Sequence, residues 1–304
     1  MTDLAGPTQP PRTIRRSVAG YIAITKPRII ELLLVTTIPT MILAAGGWPD
    51  MQVAIAVLIG GTLAAGGANA FNSVYDRDID AVMTRTQHRP VASGQVSIAG
   101  GLVWATILSL ASLVILAAYA NLLAAALALV AIVFYAVGYT MILKRRTAQN
   151  IVWGGAAGCM PVLIAWAAVT GTLTWTPVVL FLIIFWWTPP HYWPLSLRYR
   201  DDYAAAGVPM LPVVAEQPVV MRQITMYSWL MVLTSLALIP IAPMGWVYVV
   251  SSLLLGAIFL FEAYALGRRV RRGEDNVRPM RLFHWSITYL ALLFLAVAID
   301  PFMG

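Results

Sequence analysis

Asn72, Asp76 and Asp80 are the residues whose types and spacing could do chemistry. They stand at i, i+4 and i+8 in the stretch Asn72-Ser73-Val74-Tyr75-Asp76-Arg77-Asp78-Ile79-Asp80. At about 100° per helical residue the three stay within roughly 80° of arc, while Asp78 points to a different face. A row of one amide and two carboxylates suits a hard divalent cation such as Mg²⁺, which takes oxygen ligands and often brings a phosphate with it. The same residues also suit a helix end meeting water. The choice turns on whether the rest of the chain gives a metal a reason to sit there.

The elements that position this row are apolar. Of 304 residues, 60% are hydrophobic and 11% charged, with mean hydropathy +0.78. A soluble domain carries about a quarter charged residues. The chain is expected to be an all-α polytopic membrane protein. About 20 apolar residues cross roughly 30 Å of hydrocarbon, and nine runs qualify: 29–46, 52–75, 99–118, 121–143, 151–170, 175–197, 225–244, 246–267 and 282–301. Residues 1–28 read as a cytoplasmic tail and 29–304 as one transmembrane domain, the first run being a retained helix. The single Cys159 lies inside an apolar run, which excludes a disulfide framework, a CxxC pair or c-type haem attachment. A pI near 9.8 could suggest nucleic acid, but no basic tract is interleaved with aromatics, so no nucleic-acid partner is expected.

The charge has another origin. All 20 Lys and Arg residues fall in segments 12–28, 77–89, 144–146, 198–222 and 268–281, and the alternate connections carry none. By the positive-inside rule these segments are cytoplasmic, with the N-terminus inside and the C-terminus in the periplasm of a bacterial inner membrane. Four crossings separate the first acidic cluster from Asp201-Asp202, so both emerge on one side. The recurrence predicts two four-helix blocks plus a ninth helix around a central cavity. Gly60-Gly61, Gly66-Gly67, Gly154-Gly155 and Gly158 permit close helix approach. Pro161 and Pro189-Pro190 free backbone carbonyls at membrane depth, where protein or a wet cavity must satisfy them.

Facing acidic clusters (Asn72, Asp76, Asp80; Asp201, Asp202) would hold Mg²⁺ ions bridging a diphosphate. Arg85, Arg89, Lys144, Arg145, Arg146, Arg198 and Arg200 surround them, and guanidinium suits bidentate phosphate contact. Topogenic charge explains any one of these equally well. As a group they describe a ligand with a diphosphate head and an apolar tail.

With these residues in hand, the sequence resembles the UbiA-type intramembrane prenyltransferases, and within them the branch that farnesylates haem. The segments are Thr25-Lys26-Pro27-Arg28, Asn72 through Asp80 with Arg85 and Arg89-Pro90, Lys144-Arg145-Arg146-Thr147 with Asn150, Thr188-Pro189-Pro190-His191-Tyr192-Trp193, and Asp201-Asp202-Tyr203 running into Ala206-Gly207-Val208-Pro209-Met210-Leu211-Pro212. The resemblance covers essentially the whole chain after the first 20 residues. One departure is that many members carry a second DxxxD motif where this chain has Arg198-Tyr199-Arg200-Asp201-Asp202-Tyr203.

The resemblance implies transfer of farnesyl from farnesyl diphosphate to a vinyl group of haem b, with addition of water, giving haem O and diphosphate for maturation of haem–copper oxidases. Mg²⁺ on Asn72, Asp76 and Asp80 would assist departure of diphosphate, with Asp202 or Asp201 contributing from the second cluster. Arg85, Arg89 and Lys144 would stabilise the leaving charge, with Arg145 and Arg198 beside them. Tyr75, Tyr192 and Trp187 are candidates for cation–π support. His191 is the candidate for haem contact or axial ligation, or else an interfacial histidine. His88 is read as a loop residue and His284 as an interfacial one. Glu31 is expected to pair with Lys26 or Arg28, and Glu262 has no assigned partner. The bilayer is the expected medium, and haem A synthase or oxidase-assembly proteins are the implied company. Two rivals stand beside this reading: a prenyltransferase of the same architecture acting on an aromatic acid or quinone precursor, and a transporter with a midplane site.

Overall fold

The computed structural model describes residues 14–303, and every regular element among them is helical. Eight helices are long and apolar enough to cross a membrane: α3 (Met51–Tyr75), α5 (Ile98–Tyr119), α6 (Leu122–Leu143), α7 (Asn150–Thr170), α8 (Trp175–Arg198), α11 (Gln217–Ile241), α12 (Trp246–Arg271) and α13 (Pro279–Ile299, prolonged by a short 3₁₀ turn). A ninth, α2 (Pro27–Ala45), has a shorter apolar part, Leu33–Ala45. The remainder are short: α1 (Ile14–Ile24), α4 (Arg77–Val82), α9 (Arg200–Ala205) and α10 (Leu211–Val214).

Among the described residues the nine runs therefore reappear as eight spanning helices and the shorter α2, with two further differences at their edges. Residues 217–224 precede the seventh run but are already helical, because Pro218 sits in the first turn and Gln217, Arg222 and Gln223 are good helix formers outside hydrocarbon. Residues 14–24, within the expected tail, form α1, which packs against α3 and α5. The first 13 residues lie outside the described ones.

Helix ends are set by local chemistry. Asp50 caps α3 through Gln52 N and Val53 N, and Ser97 caps α5 through Gly100 N. Asn121 caps α6 through Ala124 N while its amide donates to Ala167 O, pinning the start of α6 to the end of α7. Asp300 accepts from Gly245 N and Tyr248 N, so the end of α13 satisfies the first turn of α12.

The tightest pairings are α3 with α5 and α8 with α11, the second and third membrane helices of two successive four-helix sets. α2 meets α7, the first helix of each set, and α13 packs on α12, α8 and α2. This is the duplicated block with an added ninth helix. Gly60 and Gly67 let α5 approach α3: a Cβ on Gly60 would stand 2.7 Å from Leu116 and one on Gly67 2.4 Å from Ser109. Ser112 Oγ uses that closeness to donate to Gly60 O at 2.7 Å.

Candidate active site

The site begins at the break between α1 and α2, where α3 clamps the backbone. Asn69 donates to Thr25 O (3.0 Å) and Ser73 to Ile24 O (3.2 Å). Immediately after these anchors Lys26 takes φ +54°, a left-handed conformation rare for a residue with a Cβ. Its ammonium turns inward and donates to Asn72 Oδ1. Burial, with Arg89 and Lys144 adding, pulls the Lys26 ammonium down to about 7. Glu31 therefore does not receive Lys26: it is exposed, and it has no ion-pair partner among the described residues. Lys26 is the main site residue that sequence reasoning missed. In the sequence it stands in the basic segment 12–28, in the resembling Thr25-Lys26-Pro27-Arg28 stretch and as a partner for Glu31, and only the fold at 24–27 turns it inward.

The row itself is buried: Asn72, Asp76 and Asp80 are at most 3% exposed. α3 ends at Tyr75, but Asp80 N still bonds Asp76 O (2.8 Å), so the helical row continues across the junction into α4. Each member is met by a base. Asn72 Nδ2 donates to Asp76 Oδ2 (2.7 Å) and Thr140 Oγ1 (3.0 Å). Lys144 Nζ pairs with Asp76 Oδ2, and Arg89 Nη1 reaches both oxygens of Asp80 at 2.8 and 2.9 Å. Asp78 lies on the other face and is exposed, forked to Arg145 by two 2.7 Å bonds that hold its carboxyl down to about 2. Arg145 also lies 4.9 Å over the Tyr75 ring and 3.7 Å from Asp76 Oδ1.

Thr140 and Lys144 reach the row because the last ten residues of α6, Phe134–Leu143, wind as a π-helix. Thr140 Oγ1 donates to Tyr135 O and Lys144 N to Tyr139 O, both five residues back. π segments cost regularity and cluster at functional sites. On α7, Gly154 leaves room for the Tyr139 ring, which a Cβ would meet at 2.1 Å.

Arg85 belongs to an outer aromatic shell. Its guanidinium lies 5.6 Å over the Tyr199 ring, and nearby the Tyr203 hydroxyl is 2.7 Å from Tyr192 Oη. Asp202 is held by Thr84 Oγ1 at 2.8 Å from each oxygen, so it fixes the loop that carries Arg85 and Arg89. Asp201 and Arg198 are exposed, without a hydrogen-bond or ion-pair partner among the described residues. Among those residues no three acidic, histidine or cysteine side chains converge, so Asp201 and Asp202 do not join Asp76 and Asp80 in one acidic cluster.

Below the row lies an apolar cavity between α2, α3, α6 and α7. Asn69 and Tyr135 stand at its upper end, and Val57 and Ile164 at its lower end. Twelve residues separate Asn69 from Val57 on α3, about 18 Å of depth at 1.5 Å per residue. Gly61 and Gly158 face it, and a Cβ on either would meet open space. These two glycines differ from Gly60 and Gly154, which serve packing. Pro161 also lines the cavity, whereas Pro189 and Pro190 are buried within α8.

On the far side of α8, His191 stacks between Trp187 and Phe283. His88 and His284 are exposed. Glu262, left unassigned above, is buried and takes a 2.6 Å bond from Arg281, which joins α12 to α13.

A divalent cation fits the row. Asp76 Oδ1 is fully buried and lacks a hydrogen-bond partner, with only the Arg145 guanidinium 3.7 Å away, so a lone pair on it remains free for a cation. Asn72 Oδ1 and Asp80 supply further hard oxygen donors.

Comparison with known proteins agrees with this arrangement. Residues 33–287 match the model of the UbiA prenyltransferase family. The chain is 57% identical over 290 residues to the protoheme IX farnesyltransferase of Clavibacter sepedonicus, covering 95% of this chain and 94% of that one. It is 55% identical to that of Paenarthrobacter aurescens, covering 99% and 94%, and 52% identical to that of Streptomyces coelicolor, covering 98% and 96%. Among solved structures, a digeranylgeranylglyceryl phosphate synthase superposes with TM-score 0.76 at 16% identity over 95% of this chain and 99% of that one. A UbiA homologue from Archaeoglobus fulgidus bound to GPP and Mg²⁺ superposes with TM-score 0.66 at 15% identity over 92% and 99%. The chain belongs to the UbiA prenyltransferase family, among the protoheme IX farnesyltransferases.

Proposed function

We propose that the protein transfers a farnesyl group from farnesyl diphosphate to a vinyl group of haem b, giving haem O and diphosphate. The observation that carries this reading is a buried row of acids and bases standing directly over a deep apolar cavity. Such a pairing of surroundings suits a head with several negative charges and a long hydrocarbon tail. The solved UbiA homologue with GPP and Mg²⁺ is consistent with such a ligand.

In this reading the tail lies in the cavity toward Val57 and Ile164, and the diphosphate sits at the level of Asn72 and Asp76. Bound at Asn72, Asp76 and Asp80, Mg²⁺ would neutralise charge on the diphosphate. Lys26, Lys144, Arg145 and Arg89 now neutralise the row, and they are placed to turn to phosphate oxygens when substrate arrives. Arg85, lying over the Tyr199 ring, adds charge from the loop that Asp202 fixes. As the C1–O bond breaks, its electron pair leaves with the diphosphate. The apolar walls keep water from the allylic cation, and the vinyl carbon forms the new C–C bond. Water then adds its hydroxyl to the resulting haem cation and releases a proton. Tyr75 stands beside Asp78 and Arg145 at the edge of this region, suited to cation–π contact.

The orientation follows from charge: the end bearing the row is cytoplasmic, and the C-terminus is periplasmic in a bacterial inner membrane. Residues 29–304 act as one transmembrane unit, with haem A synthase or oxidase-assembly proteins as downstream company.

The test supplies the purified chain with farnesyl diphosphate and either haem b or 4-hydroxybenzoate, with and without Mg²⁺, and reads product mass and diphosphate release. Farnesylated haem formed only with Mg²⁺ is the expected result. A farnesylated benzoate would move the function to the aromatic branch, and absence of diphosphate release would favour a carrier.

A further inference from the structure

Several arginines at the cytoplasmic end of the bundle have carboxylates: Arg89 pairs with Asp80, Arg145 with Asp78 and Arg281 with Glu262. Another group, where α11 begins and α12 ends, has none. Arg222, Arg268 and Arg272 are exposed, and their side chains make no ion pair or hydrogen bond among the described residues.

Arg268 stands in the last turn of α12, where a helix end favours a cation. That accounts for its charge but not for its direction. A long cationic side chain near the end of a membrane helix ordinarily reaches outward to water. This one leans back along the helix instead. Its guanidinium carbon lies 5.7 Å over the ring of Phe261, which is seven residues earlier and exposed. Beside it the Trp229 indole of α11 donates to Tyr264 Oη at 3.0 Å, bridging α11 and α12 through two exposed rings. The Tyr264 hydroxyl hydrogen has no acceptor among the described residues.

Spacing aligns these groups. Tyr264, Arg268 and Arg272 are four apart on α12, and Arg222 and Trp229 are seven apart on α11, so each set shares a helix face. Leu233 and Leu254, both exposed, continue the two faces toward the membrane centre. The result is a furrow between two antiparallel helices, with guanidinium groups at its mouth, a tyrosine donor at its neck and apolar walls below.

We propose that this furrow binds an anionic phospholipid of the cytoplasmic leaflet. Its phosphate is taken by Arg268 with Arg272 and Arg222, and an acyl chain lies along Phe261, Leu254 and Leu233. A soluble phosphate would use the guanidinium groups and leave the apolar walls unfilled; a lipid uses both. The furrow is separate from the cavity between α2, α3, α6 and α7, so the proposal does not depend on which reaction occurs there.

The experiment is native mass spectrometry of the purified full-length protein in detergent, titrated with phosphatidylglycerol or phosphatidylcholine of the same chains, with glycerol phosphate as competitor. Wild type should bind phosphatidylglycerol at least about ten-fold more tightly than phosphatidylcholine, and Arg268→Gln should weaken phosphatidylglycerol alone by about five-fold. Adding Arg272→Gln should abolish the preference. Tyr264→Phe keeps the ring, loses the donor and should weaken phosphatidylglycerol by about two- to five-fold. Arg269→Gln removes the same charge from another face of α12 and should leave the preference within about two-fold of wild type. Equal affinity for the two lipids in wild type, or an Arg269→Gln loss equal to that of Arg268→Gln, overturns the site. Displacement of phosphatidylglycerol by equimolar glycerol phosphate overturns the lipid as its occupant.

Discussion

The two sides of the bundle use the same helix pairings and fill them differently. Around α3, α6 and α7 the buried residues are small, with Ala124, Ala125, Ala128, Ala165 and Ala168 in the core and Gly61 and Gly158 facing the cavity. Around α8, α11, α12 and α13 the core is aromatic, with Trp187, Trp193, Tyr248, Phe259, Tyr289 and Phe294 packed together. One side is hollow and meets the charged row; the other is solid and carries the clamped His191. The hollow lies where the two four-helix sets meet, between α2, α3 and α6 of the first and α7 of the second, and side-chain volume separates it from the solid side.

The largest effect should come from hollowing the solid side. Phe294→Ala removes a fully buried ring and should cost about 3–5 kcal/mol in thermal unfolding, without changing which prenyl diphosphate is preferred. A shifted chain-length preference in that variant would end the division of labour drawn here.

Next is the charged row. Asp76→Ala would strand the Lys144 ammonium in a buried site, because Asp76 holds both Lys144 and Asn72. Asp76→Asn keeps the shape and is the cleaner test. Turnover should fall by about 10²–10³-fold with thermal stability lowered far less, a loss typical of removing one preorganised electrostatic group. Near wild-type turnover would remove Asp76 from the metal assignment.

Filling the hollow side should change selectivity. Gly158→Leu places four extra carbons into the cavity, so kcat/KM for farnesyl diphosphate should fall by roughly 10–200-fold relative to geranyl diphosphate. Gly60→Ala is its control: the new methyl meets Leu116 instead of the cavity, so stability drops while the farnesyl-to-geranyl ratio stays put. Equal losses on both substrates in Gly158→Leu would place the tail elsewhere.

Lys26→Gly removes the ammonium and relieves the left-handed backbone together. KM for farnesyl diphosphate should rise about ten-fold, some 1.4 kcal/mol, while melting temperature holds or rises. The smallest change belongs to Asp78→Ala. It frees Arg145 from an exposed fork and should alter turnover by no more than about three-fold, as surface ion pairs contribute little. A loss at Asp78 equal to that at Asp76 would mean the row runs along another face.

Much of this was legible beforehand because membrane helices are written in composition and in the placement of charge. The nine runs, the segregation of all basic residues and the i, i+4, i+8 row depend on local periodicity and on hydrocarbon thickness, which a sequence states directly. The separation of Asp78 from the row is of the same kind. Side-chain destinations across helices are not. The sequence could not distinguish Gly60 from Gly61, since neighbouring glycines on one helix face different partners. It offered Asp201 and Asp202 as metal ligands because they share a membrane face with Asp76, but Thr84 takes Asp202, and Asp201 stays in water.

By itself, then, the sequence determined the membrane architecture and the identity of the polar row, because both follow from spacing along one helix and from the cost of charge in hydrocarbon. Only the tertiary structure decided which bases meet that row, that Lys26 turns inward, where the cavity opens, and that His191 stacks between Trp187 and Phe283. Those outcomes depend on how separate helices approach one another, and no local pattern encodes that approach.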